Sequence, residues 1–117
     1  MTRAQQIIRA ACAHFRVNLH EHVMAGSRSA ATQNARAAIA HLLHERCNMS
    51  YPEIAMQIGM TSHSTMHTAA QRWPSLLESD REALSAAVDE IQAAWSREWR
   101  LGKDVAALVG GLERTAK

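Results

Sequence analysis

The stretch MTSHSTMHTAAQRW, residues 60–73, crowds hydroxyls and imidazoles into what reads as the first turn of a helix. Thr61, Ser62, His63, Ser64, Thr65 and His67 are all short hydrogen-bonding side chains, while apolar spacing starts only at Met66 and continues through Ala69, Ala70 and Trp73. Such a set suits two tasks at a helix start. Its oxygens can cap the helix by accepting from unpaired backbone N–H groups. Alternatively, the set can meet a polyanion, because it lets the backbone come close while the N–H groups and the positive end of the helix dipole favour phosphate.

The preceding elements favour the second task. Ser50 is a good cap and Pro52 suits a first helical turn, so Ile54, Ala55 and Ile58 mark a short helix that Gly59 can end in a left-handed conformation. A short helix, a tight turn and a second helix opening on small polar residues is the layout of a helix-turn-helix, whose second helix enters a major groove by its N-terminal end. Upstream, Ile7, Ile8, Ala11, Cys12 and Phe15 predict an amphipathic helix over residues 3–16 behind a Thr2 cap. Asn18 can cap a short helix over Leu19–Met24 that ends at Gly26, which leaves Ser27-Arg28-Ser29 as a polar linker. From Ala30 to Arg46 a long helix carries Ala35, Ile39, Leu42 and Leu43 on one face and Arg36 on another. Pro74 should end or kink the quoted helix at Trp73. Beyond it, Leu84, Val88, Ile91 and Trp95 form a narrow stripe suited to another helix, either in this chain's core or in a partner. Gly102 is expected to break that helix, with Val105, Leu108, Val109 and Leu112 forming a last short one.

Composition supports helix throughout. The chain of 117 residues is Ala-rich, with five Gly, two Pro and few aromatic residues, so one all-α domain is expected. Net charge is only +2, but residues 1–73 hold seven Arg against three Glu, whereas residues 74–117 hold six basic and eight acidic residues. The basic part is a candidate polyanion face and the acidic part a solvated or partner-facing one, although differences of this size also occur on inert surfaces. No secretory segment and no apolar run of membrane-spanning length is seen, so the expectation is a cytoplasmic chain with Cys12 and Cys47 as free thiols.

Catalytic and metal chemistry find little support. His63 with His67, His41 with His44, and His20 with His22 are each only a pair, without an evident third ligand or an H-E-x-x-H pattern, so no metal and no cofactor is expected. His14, His20, His22, His41 and His44 read most simply as surface or packing residues. Nothing near Cys12 or Cys47 would lower a thiol pKa.

The runs SYPEIAMQIGMTSHSTMHTAAQRW and SRSAATQNARAAIAHLLHERC together resemble the C-terminal DNA-binding domain of the chromosomal replication initiator DnaA over roughly residues 5–78. The specific part is His63-Ser64-Thr65-Met66 after Pro52-Glu53-Ile54 and Gly59. The resemblance implies that His63, Ser64 and Thr65 meet the major groove, that Arg28 reaches the minor groove, that Arg36 contacts backbone or bases, and that Arg72 lies near phosphate. Thr61, Ser62 and His67 complete the candidate DNA-binding set. The chain departs from the family pattern at Ser62, where the family has Asp, at Thr61, which replaces a basic residue, and at Ala37, which stands where Gln follows the Arg. It also contains no G-x-x-x-x-G-K-[ST] loop, so ATP-driven origin opening is not expected of this chain alone.

The expectation is therefore a helical bundle with a helix-turn-helix over residues 1–78 and a C-terminal helical extension over 79–117. It would bind double-stranded DNA sequence-specifically as a replication or transcription regulator, perform no catalysis, and have no membrane partner. Homo-oligomers could form through the C-terminal helices. The competing reading is a protein-interaction adaptor that keeps the fold with little DNA affinity, favoured by Ser62 and the thinly charged loop.

Overall fold

The computed structural model describes the backbone of residues 2–59 and 63–116, and the side chains of 2–59 and 65–97. The chain runs through α1 (Arg3–His14), a π-helical turn (Leu19–Val23), α2 (Ala30–Cys47), α3 (Tyr51–Gln57), α4 (His63–Gln71), a 3-10 turn (Trp73–Ser75) and α5 (Glu78–Ala116). It is an all-α bundle containing a helix-turn-helix, and no strand occurs among the described residues.

Side-chain caps start most of these elements. Thr2 Oγ1 accepts from Gln5 N while Gln5 Oε1 accepts from Thr2 N, and Ser50 with Glu53 makes the same reciprocal box at α3. The Glu53 carboxyl is held below its ordinary pKa by the hydrogen bonds from Ser50. Asn18 Oδ1 accepts from His20 N and Glu21 N, and Ser29 Oγ accepts from Thr32 N. Asn48 ends α2 in the left-handed region at φ 56°, and Gly59 ends the α3 segment at φ +69°.

Packing places α2 at the centre, against α1 on one side and α3 and α4 on the other. Ile7, Ile39, Leu42, Ile54, Met66 and Leu84 are fully buried where these helices meet. α5 lies against α1 and α2, with Leu84 and Val88 buried and Ile91 packed at the core's edge. The Leu84–Trp95 stripe thus serves this chain's own core, and Trp95 Nε1 donates to Gln6 Oε1 at 3.2 Å. Past α4, Trp73 stacks on His41 with ring centroids 4.5 Å apart, which pins the 3-10 turn to α2.

Two expectations are corrected. α5 does not break at Gly102 but continues as one helix to Ala116, since a helical glycine costs only about 1 kcal/mol relative to Ala. Nor is the face of α2 that carries Arg36 set apart from the core-facing one by exposure, because residues 35–40 are all buried. The expected Thr61 or Ser62 cap of α4 lies outside the described residues.

Candidate nucleic-acid interface

Between the loop that precedes α2 and the outer face of α4 lies an open cleft of about 510 Å³, lined by Arg28, Gln33, Arg36, Thr65, Thr68, Ala69 and Arg72. Among the described residues, three guanidinium groups and two threonines line it, and no carboxylate does. That lining attracts an anion and offers short hydrogen-bonding groups beside it.

Arg28 projects from an exposed loop shaped by Gly26 at φ +79°, a conformation that side-chain-bearing residues adopt at a cost. Behind that loop, Arg36 is only 9% exposed, and its Nη2 donates to the backbone carbonyls of Val23 at 3.1 Å and His22 at 3.4 Å. The guanidinium therefore ties off the end of the π-helical turn from within. Its Nε is buried with no hydrogen-bond partner, and burial lowers its pKa from the ordinary arginine value. Arg36, expected to contact DNA backbone or bases, thus lines the cleft as a largely buried residue whose Nη2 is engaged by these two carbonyls.

On the opposite wall, Thr65 and Thr68 are exposed one turn apart on α4. Arg72, just past the end of that helix, donates from Nε to Asn34 Oδ1 at 3.0 Å and from Nη1 to Gln33 Oε1 at 2.9 Å. Gln33 Nε2 in turn donates to the Arg28 carbonyl at 2.9 Å. A continuous set of hydrogen bonds thus spans the cleft from α4 to the basic loop.

His67 is exposed, but it sits edge-on to Tyr51 at 5.2 Å and does not line the cleft. Tyr51 stacks in turn on His44, whose Nδ1 lies 3.0 Å from the Met49 carbonyl. His63 and Ser64 begin α4, with their side chains outside the described residues, as Thr61 and Ser62 are entirely. Among the described side chains, the cleft therefore gathers the candidates Arg28, Arg36, Thr65 and Arg72.

Sequence reasoning missed Gln33, Asn34 and Thr68. Thr68 was findable, since it falls three residues after Thr65 on the same helix face. Gln33 and Asn34 meet Arg72 only through the tertiary fold, and no local pattern signals them.

Other chemistry is not assembled. Among the described residues no group of three or more His, Cys, Asp or Glu is placed to hold a metal ion. Both cysteines are free, and burial pushes the Cys12 thiol pKa up, away from nucleophilic use. Among the described residues, no helix is long and apolar enough to cross a membrane.

Compared with known proteins, residues 4–72 match the family model described as the bacterial dnaA protein helix-turn-helix. No curated protein and no solved structure matches the chain.

Proposed function

The chain belongs to the bacterial DnaA helix-turn-helix family, a DNA-binding family, and from that premise we propose that it binds double-stranded DNA sequence-specifically and regulates replication or transcription. α4 enters the major groove by its first turns, with His63, Ser64 and Thr65 toward base edges. Arg28 follows an adjacent phosphate ridge into the minor groove, where a guanidinium is drawn by the negative potential. The observation that carries the reading is the arginine-lined cleft, in which Arg28 from the loop and Thr65 from α4 face one open space and no carboxylate is found among the described lining residues. The chain acts by occupying sites and carries out no reaction, as a cytoplasmic protein.

Selection of duplexes from a random pool tests this. A recovered duplex should bind about a thousandfold more tightly than random duplex at matched salt. Equal affinities would refute sequence-specific binding.

Two observations favour a second reading, that of an adaptor with weak DNA affinity. Arg36 is buried, and Arg72 is occupied by Gln33 and Asn34. Both remain charged, so titration with random duplex at low salt separates the readings: a DNA binder shows micromolar affinity there and an adaptor does not.

The distal part of α5 is read as a contact between two copies. α1 runs antiparallel to α5, with His14 on Asp80 and Gln6 on Trp95, and Arg46 near the end of α2 meets Asp89 and Gln92. α5 continues to Ala116, and its sequence carries Leu101, Val105, Leu108 and Leu112 at helical spacing. Sedimentation should show concentration-dependent dimers that are lost in Leu108→Glu, and a monomer at every concentration would refute the contact.

A further inference from the structure

We propose that Gln33 is a positioning residue for the DNA interface, and that Arg72 is the second half of the same tie instead of a phosphate ligand. The inference rests on the duplex-binding reading above and adds how the loop carrying Arg28 is held relative to α4.

Gln33 is half-buried in the first turns of α2, and its amide is used at both ends. The Nε2 donates to the Arg28 carbonyl and the Oε1 accepts from Arg72 Nη1, each at 2.9 Å. A side-chain amide suits this place because it carries a donor and an acceptor on one planar group. Flipping it would aim two donors at each other across Arg72 and two acceptors at each other across Arg28. Glutamate could serve Arg72 but has no proton for the carbonyl, and methionine could serve neither.

Arg72 is committed to the same network. Its Nε and Nη1 reach Asn34 and Gln33, which are 38 and 39 residues away in sequence, and its own N–H donates to the Ala69 carbonyl at the end of α4. The fork geometry of a guanidinium makes these two bonds together, whereas an ammonium group at this place could not reproduce them. Arg72 thereby fixes the C-terminal end of α4 to the start of α2.

The loop between Gly26 and Ser29 is then held from two sides. Arg36 secures the Val23 and His22 carbonyls where the loop begins, and Gln33 secures the Arg28 carbonyl where it ends. Arg28 itself is exposed, so its placement depends on these backbone anchors. A loop fixed before the duplex arrives avoids the ordering cost that a free loop incurs on binding.

The test compares a duplex recovered from a random pool by the wild-type chain with a random duplex. Gln33→Met and Arg72→Lys should each weaken the recovered duplex by about 3- to 10-fold, the value of one or two hydrogen bonds, while changing random-duplex affinity less than about twofold. Arg72→Lys keeps the charge, so a phosphate-contact role predicts little change there. In an Arg28→Ala background, Gln33→Met should have no further effect, because the residue acts through Arg28. Circular dichroism and melting confirm folding, and Arg72→Lys carries the test should Gln33→Met unfold. Equal losses on both duplexes, wild-type behaviour of both variants, or persistence of the full Gln33→Met loss without Arg28 would overturn the proposal. A wild-type chain that binds no duplex overturns the parent reading, and this inference with it.

Discussion

Replacing Arg36 by Met separates two roles that a cleft arginine can play. In the wild-type chain its Nη2 serves the Val23 and His22 carbonyls, and the side chain is 9% exposed. Deleting a charged donor from buried carbonyls costs about 1.5–3 kcal/mol. Releasing a guanidinium whose Nε is buried without a partner offsets part of that, since the desolvation penalty of burying the charge disappears. The net expectation is a loss of about 1–2 kcal/mol, which for a domain of this size lowers the melting temperature by about 4–8 °C. Denaturant unfolding measures the first quantity directly, as a shift in midpoint at constant slope. The salt dependence of random-duplex binding supplies the second readout. A residue that touches no phosphate leaves the slope of log K against log salt unchanged, whereas a lost phosphate contact reduces it by about 0.9. Arg28→Ala should show the inverse pattern, with stability unchanged and the slope reduced. An Arg36→Met variant as stable as the wild type but with a slope lower by about one would refute the assignment of Arg36 to the turn.

Three further outcomes follow from the structure. Thr65→Ala should weaken the recovered duplex by about 1–3 kcal/mol while hardly affecting random duplex, as competition binding can show. Burial holds the His41 pKa below its ordinary value, opposed in smaller part by Glu45, which raises it, and reinforced by Arg46 and His44, which lower it further. The unfolded chain then takes up a proton that the folded chain resists, so stability falls as pH drops from about 6.5 toward the folded value. His41→Phe keeps a ring against Trp73, and chemical unfolding across this range should show that part of the pH dependence gone. Gly59→Ala should cost about 1–2 kcal/mol in the same assay, because φ is +69° and a Cβ there would press on the Met24 side chain.

What the sequence revealed about this fold is local. Thr2, Asn18, Ser50 and Gly59 act through hydrogen bonds or backbone angles within a few residues of themselves, so residue type and spacing suffice to read them. Met66 and Trp73 were readable as inward-facing for the same reason, since helical period alone places them. Gly102 misled because intrinsic propensity is a weak prior, and one glycine is a small cost within a helix 39 residues long. Arg36 misled in the opposite way. A charged residue among alanines looks like the polar side of an amphipathic helix, but α2 is covered on several sides and its arginine is retained for two carbonyls of another element.

The candidate interface shows the same division more sharply. Charge is legible by counting, and the surplus of arginine before residue 74 pointed to an anion-attracting face. Counting cannot tell which guanidinium is free to meet an anion. Of the three in the cleft, Arg36 faces carbonyls of the π-helical turn, Arg72 faces Gln33 and Asn34, and Arg28 alone stands on an exposed loop, its side chain making no hydrogen bond to another described residue. All three contribute to long-range attraction, which depends on net charge and distance. Short-range recognition depends on where Arg28 and Thr65 are held, and that is set by hydrogen bonds spanning up to 39 residues of sequence. Attraction thus follows charge whereas placement follows hydrogen-bond geometry, which is why substitutions that leave the charge unchanged, Arg72→Lys and Gln33→Met, discriminate better between these roles than substitutions that remove charge.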